Sequence, residues 1–258
     1  SAGLDKQEQQ GICREIGART GGDIYIGVVG PVRSGKSTFI KGFMEQLVLP
    51  AMAPAARARA RDELPQSAAG RTIMTTEPKF IPEAAVPLEL EGGGACRVRL
   101  VDCVGYMVEG AMGHEENDRP RMVKSPWFQE EIPFDQAAET GTQKVIRDHS
   151  TIGIVITTDG TVSDIPREGY AKAEGRVIQE LEALGKPYLI LLNSTRPQAP
   201  ETLQLAQGMA RDYHHAVLPV SCVDLDADAF SQLLRQVLYE FPVRELDLAL
   251  PRWINHLE

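Results

Sequence analysis

One octapeptide constrains this chain more than any other feature. Gly30-Pro31-Val32-Arg33-Ser34-Gly35-Lys36-Ser37 fits G-x-x-x-x-G-K-[ST] and follows directly on the apolar run Ile24–Val29. A strand, a glycine-rich turn and a helix start, in that order, make a phosphate cradle. The glycines let the backbone turn tightly, and successive N–H groups, with the positive end of the helix dipole, face anion oxygens. Lys36 is expected to reach the β- and γ-phosphates of a nucleoside triphosphate, and the Ser37 hydroxyl to bind Mg²⁺.

The 258 residues suit one large α/β domain or two small ones, and 43% apolar content is enough for a packed core. A net charge of −9 argues against tracking a nucleic-acid backbone, which calls for a basic field. Cys13, Cys96, Cys103 and Cys222 form no C-x-x-C pair, so neither a zinc site nor a disulfide framework is implied and a reducing cytosol fits. The sequence holds no run of about 18 apolar residues and its start lacks signal-peptide character. Residues 1–15 are read as a tag remnant or flexible N-terminus, and 16–258 as one P-loop domain.

Along the chain, a helix is expected from Lys36 to about Leu47, stopped by Pro50 and Pro54, and an Ala/Arg-rich stretch then leads to Asp62–Ser67, where a switch-like loop would sit. Lys79–Leu90 and Cys96–Cys103 read as an antiparallel pair joined through Glu91-Gly92-Gly93-Gly94. Residues 106–133 lack periodicity and read as a long functional loop. Then come a helix Asp135–Asp148, a strand Ile152–Thr157, a helix Glu168–Leu184 and a strand Lys186–Asn193. A helix Glu201–Tyr213, a strand Ala216–Val220 and a helix Ala227–Tyr239 complete the series. The alternation predicts an α/β three-layer P-loop fold: a mostly parallel sheet with one antiparallel strand, helices on both faces, and ligand at the carboxyl ends of the strands.

The strand Arg97–Asp102 ends in D-x-x-G, with Asp102 and Gly105 placed to hold Mg²⁺ and sense the γ-phosphate. Upstream, Thr75 or Thr76 lies where a switch threonine would meet Mg²⁺ and that phosphate. These features resemble the translation-factor-related GTPases, with two departures. Where that class carries N-K-x-D, this chain has Asn193-Ser194-Thr195-Arg196, and a cationic Arg196 cannot accept the guanine N1 and N2 protons. Adenine is therefore expected at the base site. Tyr106 stands where many members carry Gln, so hydrolysis is expected to be slow. Arg33 takes a position at which some members hold Asn beside a monovalent cation. Its guanidinium would either supply charge at the β–γ bridge or point outward to a surface acid or neighbouring subunit.

The strings Thr20–Thr38, Asp62–Phe80 and Val101–Tyr106, continued by Pro120–Met122, His149–Gly153 and Val155–Gly160, closely resemble the stage IV sporulation protein A family. The resemblance implies an ATPase that polymerises into the basement layer of the spore coat, in the mother-cell cytoplasm at the forespore surface. It implies self-association, docking on a small amphipathic membrane-bound peptide and contact with coat proteins, with the membrane met only indirectly. Lys36 becomes the Walker A lysine, Asp102 the Walker B acid, and Thr75 with Thr76 the sensor threonines. Full-length members continue into further domains, so the chain reads as the N-terminal ATPase domain. The expected ligands are ATP and Mg²⁺. The nucleotide contacts are Gly30, Val32, Arg33, Ser34, Gly35, Lys36, Ser37, Thr38, Gly105, Asn193 and Arg196, and the metal contacts Ser37, Asp102 and Thr75 or Thr76. The competing reading is a GTPase-like switch whose 106–133 loop binds an effector without polymerising.

Other residues carry less. His214-His215 and His114-Glu115-Glu116 read as surface polarity rather than metal ligands, since neighbouring side chains face different ways. Arg57, Arg59 and Arg61 read as a solvated loop or a contact for phosphate, partner or acidic lipid. Glu77 and Asp159-Gly160 either order water near the nucleotide or cap loops.

Overall fold

The computed structural model describes residues 23–65, 78–89, 95–111, 115–116 and 119–239. A six-stranded sheet organises them, in the order β10-β9-β8-β1-β3-β2. Its strands are β1 (Asp23–Val29), β2 (Lys79–Glu89), β3 (Ala95–Asp102), β8 (Ile152–Thr158), β9 (Tyr188–Asn193) and β10 (Val217–Val220). Every pairing is parallel except β2 with β3. β2 lies at the edge and carries Pro82 and Pro87, which a central strand would not tolerate.

Alternation along β1 divides the core. Ile24, Ile26 and Val28 face one layer, built from α1 (Lys36–Phe43), α2 (Pro54–Asp62) and α6 (Ala227–Tyr239), where Phe39, Phe43 and Phe230 meet edge to face or tilted. Val29, Val101, Val155 and Ile190 face the other, built from α3 (Phe134–Lys144), α4 (Arg167–Ala183) and α5 (Pro200–Tyr213). β8 and β9 are buried along their whole length, as central strands covered on both faces must be. The three-layer expectation holds. β1 hydrogen-bonds β3 on one side and β8 on the other, which opens a crevice at its carboxyl end.

Three expectations change. The helix from Lys36 runs past Leu47 through a π-turn, Met44–Val48, and ends with Leu49–Ala51. It ends one residue after Pro50, with Met52 extended, inside the Pro50–Pro54 stretch expected to stop it. The Ala/Arg-rich stretch is a helix, α2, opened by Pro54 at its first position and carried by residues of high helix propensity. Arg57 turns back to the Met52 carbonyl, 3.0 Å away, while Arg59 and Arg61 are exposed. The 106–133 segment holds short antiparallel pairs: β4 (Glu115–Glu116) with β5 (Arg119–Pro120), and β6 (Met122–Val123) with β7 (Ile132–Pro133).

Cys103 and Cys222 are buried and free, whereas Cys96 is disulfide-bonded, against the expectation that no cysteine pairs. His214 caps α5 with φ 51°, and the His215 ring stacks on Tyr188 at 4.2 Å. Among the described residues no group of three or more His, Cys, Asp or Glu could hold a metal, and no helix is long and apolar enough to cross a membrane. The expected turn at 91–94 and the threonines Thr75 and Thr76, with Glu77 and His114, lie outside the described residues.

Candidate nucleotide site

The loop between β1 and α1 is shaped by two glycines and the neighbours they admit. Gly30 has φ 140°, and a Cβ there would stand 2.2 Å from the Ile156 carbonyl oxygen on β8. Gly35, the N-cap of α1, has φ 107°, and a Cβ would stand 2.2 Å from Asn193 Nδ2. Both positions exclude side chains on space as well as on backbone conformation. Between them Arg33 adopts φ 57°, an uncommon conformation for a branched-free but bulky residue. No acidic residue sits in the first turn of α1, so the helix presents an uncompensated positive end to the cradle.

Lys36 is 6% exposed, and its Nζ donates to the Pro31 carbonyl at 2.5 Å. Burial pushes its amine below the ordinary 10.5, while the nearby Cys103 and Asp102 pull the other way. Asp102 ends β3 beside Val28 in the β1 register. Burial raises its carboxyl to about 6, against the opposing charges of Lys36 and Lys79. Burial works against the charge on both groups, and a polyanion at Lys36 with a cation at Asp102 would offset it. Ser37 is exposed at the first turn of α1, Thr38 half-buried. A hydroxyl and one carboxylate are hard oxygen donors that suit Mg²⁺, which takes few protein ligands when phosphates supply others.

The D-x-x-G segment is stitched to this loop by its backbone. Val32 N–H donates to the Tyr106 carbonyl at 2.9 Å, and Tyr106 N–H to the Gly30 carbonyl at 3.2 Å. Gly105, with φ 96°, fits the space left: a Cβ there would stand 2.3 Å from the Gly30 oxygen and 2.6 Å from Lys36 Nζ. Its own N–H donates to Thr142 Oγ1 on α3, 3.1 Å away. The Tyr106 side chain reaches toward α4. Its hydroxyl donates to Glu180 Oε2 at 2.6 Å, and the Arg176 guanidinium lies 4.2 Å from its ring centroid. Burial, then Glu180, pushes that phenol well above its ordinary range. Arg176 also pairs with Glu139 and Glu180. A cavity of about 500 Å³ opens here, lined by residues 106–110 with α3 and α4, and contains no residue of the octapeptide.

On the opposite side Asn193 closes the cradle. Its Nδ2 donates to the Ser34 carbonyl at 3.0 Å, and its Oδ1 accepts from Cys222 N–H at 3.0 Å. Ser34 is fully buried and turns its hydroxyl to the Pro31 carbonyl, 2.9 Å away. Arg196 reaches solvent and approaches Glu201 at 3.8 Å, both side chains about two-thirds exposed (69% and 67%), an interaction of little energetic weight. Arg33 faces Asp164 at 3.8 Å, the acid 86% exposed, so the outward of its two expected orientations is the one present. Its carbonyl accepts from the Tyr170 hydroxyl at 3.1 Å. Asp159 caps its own turn: Oδ1 accepts from Thr161 N–H and Oγ1, and Oδ2 from Thr202.

Sequence reasoning missed Thr142, Tyr170, Glu180 and the buried pair Arg167–Glu174, in which Glu174, 1% exposed, also accepts from Thr157 and Tyr213. No short motif marks them, because their partners lie elsewhere in the chain.

A sequence-family model described as "Stage IV sporulation protein A, ATPase domain" matches residues 7–242. The chain is 54% identical over 252 residues to stage IV sporulation protein A of Bacillus subtilis (strain 168), covering 97% of this chain and 51% of that one. It is 53% identical over 248 residues to the protein of the same description from Bacillus anthracis, covering 96% and 50%. With that of Clostridioides difficile (strain 630) the identity is 50% over 248 residues, covering 96% and 50%. The chain spans about half the length of these curated relatives. A crystal structure of a mutation variant of SsGBP superposes with TM-score 0.46 at 15% identity, covering 93% of this chain and 65% of that one. Half of the residues shared with three relatives, over a match that takes in both the octapeptide and D-x-x-G, leave one conclusion: this chain belongs to the ATPase-domain family of stage IV sporulation protein A.

Proposed function

We propose that this domain binds ATP with Mg²⁺ at the β1–α1 loop, hydrolyses it slowly to ADP and phosphate, and couples the ATP-bound state to self-assembly. The observation that carries the reading is the backbone stitching of Gly30, Val32 and Tyr106 around buried Lys36. It sets the D-x-x-G amide beside the lysine that would meet the terminal phosphates. Lys36 and the loop amides would hold the phosphates, and Ser37, Asp102 and Thr75 or Thr76 would hold Mg²⁺, which would supply charge neutralisation at the phosphates. Gly105 N–H senses the γ-phosphate. Arg196 disfavours guanine, and Tyr106, committed to Glu180, leaves no side-chain amide to orient water. Arg33 either swings from Asp164 to the phosphates or stays on the surface.

Family membership supports the finer reading: an N-terminal ATPase domain of a longer cytoplasmic protein that polymerises as the basement layer of the spore coat and docks on a small amphipathic peptide at the forespore membrane. Sedimentation of the full-length protein with Mg-ATP tests the coupling. Pelleting that needs ATP and is lost in Lys36→Ala supports it, and a protein that hydrolyses ATP yet never pellets contradicts it. The 500 Å³ cavity beside residues 106–110 favours the second reading, a nucleotide switch with an effector at that face, only in the latter case.

A further inference from the structure

The amide of Gly105 is committed before any nucleotide arrives. It donates to Thr142 Oγ1 at 3.1 Å, and the Thr142 hydroxyl in turn donates to the Ala138 carbonyl at 2.8 Å. The second bond fixes the first, because a hydroxyl whose proton is spent on Ala138 offers only lone pairs to Gly105. Thr142 is fully buried, so water does not compete for the site. Gly105 itself abuts Lys36, whose Nζ would lie 2.6 Å from a Cβ at that position. One N–H therefore stands between two acceptors: the threonine on α3, and the terminal phosphate that Lys36 would bring in.

We propose that Thr142 is a positioning residue that stands in for the γ-phosphate. It holds the Gly105 amide while that phosphate is absent and gives it up when ATP binds, and this exchange sets how strongly the domain prefers ATP over ADP. The proposal rests on the reading of Gly105 as the γ-phosphate sensor. The exchange trades a neutral hydrogen bond for a charge-assisted one, so it runs forward with ATP and has no counterpart with ADP. Tyr106, the next residue, is held by Gly30, Val32 and Glu180, so turning the Gly105 peptide loads those bonds and carries the change toward α4.

Thr142→Val keeps the shape and removes the acceptor. In the nucleotide-free and ADP-bound states the Gly105 N–H would then keep only the neighbouring Cys103 sulfur, a weak acceptor, and ATP would offer it a strong one. Calorimetric titration with Mg-ADP and with a β,γ-imido ATP analogue should show the analogue binding about tenfold tighter than to wild type, ADP within about twofold, and Thr142→Ser with the wild-type ratio. Analogue and ADP affinities that move together in Thr142→Val would overturn the exchange while leaving Gly105 as a sensor. The wild-type Gly105 amide resonance gives an independent reading that survives a misfolded variant. It should shift with the analogue and stay put with Mg-ADP. A resonance that ignores the analogue, with no wild-type preference for it over ADP, would overturn both the exchange and the sensor reading.

Discussion

Asn193 Nδ2 donates to the Ser34 carbonyl across 3.0 Å, joining residues 159 positions apart and tying the phosphate loop to the tip of β9. Because Oδ1 of the same side chain accepts from Cys222 N–H, one buried amide braces the loop against the β10–α6 connection as well. Asn193→Ala would strand both partners. We expect a loss of about 1–3 kcal/mol in urea unfolding, the cost of buried unpaired backbone groups, and weaker binding of ATP and ADP alike. Unchanged stability would mean that the brace is not formed.

Tyr106 faces α4, and that orientation predicts what a restored glutamine would do. Tyr106→Gln should not accelerate phosphate release, since the side chain at this position points away from the cradle. Tyr106→Phe should cost about 1.5–3 kcal/mol through the bond to a charged Glu180, with turnover close to wild type. A several-fold gain in turnover for the glutamine variant would place the side chain at the water instead.

The Arg167–Glu174 pair lies beneath the strand ends that carry the site, with Arg167 also donating to the Thr158 carbonyl at 3.2 Å. Glu174→Leu leaves a partly buried cation unpaired and should destabilise the fold by about 3–5 kcal/mol. Replacing both as Arg167→Met and Glu174→Leu should recover only the part due to the unpaired cation, because the Thr157 and Tyr213 hydroxyls still lose their acceptor. Chemical denaturation of the two variants and the wild type checks the order.

Asp159 sets an acid limit. Burial opposes its ionisation, but hydrogen bonds from Ser194, Thr161 and Thr202 outweigh that and hold the carboxyl below the ordinary 3.8. A depressed carboxyl contributes stability above its unfolded value and loses it as pH falls through the folded one. Wild type should therefore weaken below about pH 4 more steeply than Asp159→Asn, read as urea midpoints between pH 7 and pH 3. Parallel curves would show that the turn does not depend on the charge.

The strands and helices were legible because their signals are periodic and local: alternation in β1, continuous apolar runs in β8 and β9, and Gly185 past the end of α4 with φ 63°. That Lys36, Asp102 and Gly105 meet was legible because their motifs put them at the ends of neighbouring strands, β1 and β3. The helix α2 was hidden behind Pro50 and Pro54, the second of which starts it rather than preventing it. Thr142 was illegible for a different reason, since a threonine 37 residues from its partner looks like any other helical threonine. The role of Asn193 was half visible: its place at the tip of β9 was evident, its two bonds to backbone were not.

The cradle around Lys36 is proposed to turn over ATP and to discriminate against guanine. Phosphate release measured with Mg-ATP and Mg-GTP in parallel, for wild type and Lys36→Ala, tests it most directly. Slow release from ATP, well above both the GTP rate and the Lys36→Ala rate, is the expected result. Preferred GTP, or ATP turnover that survives Lys36→Ala, would contradict it.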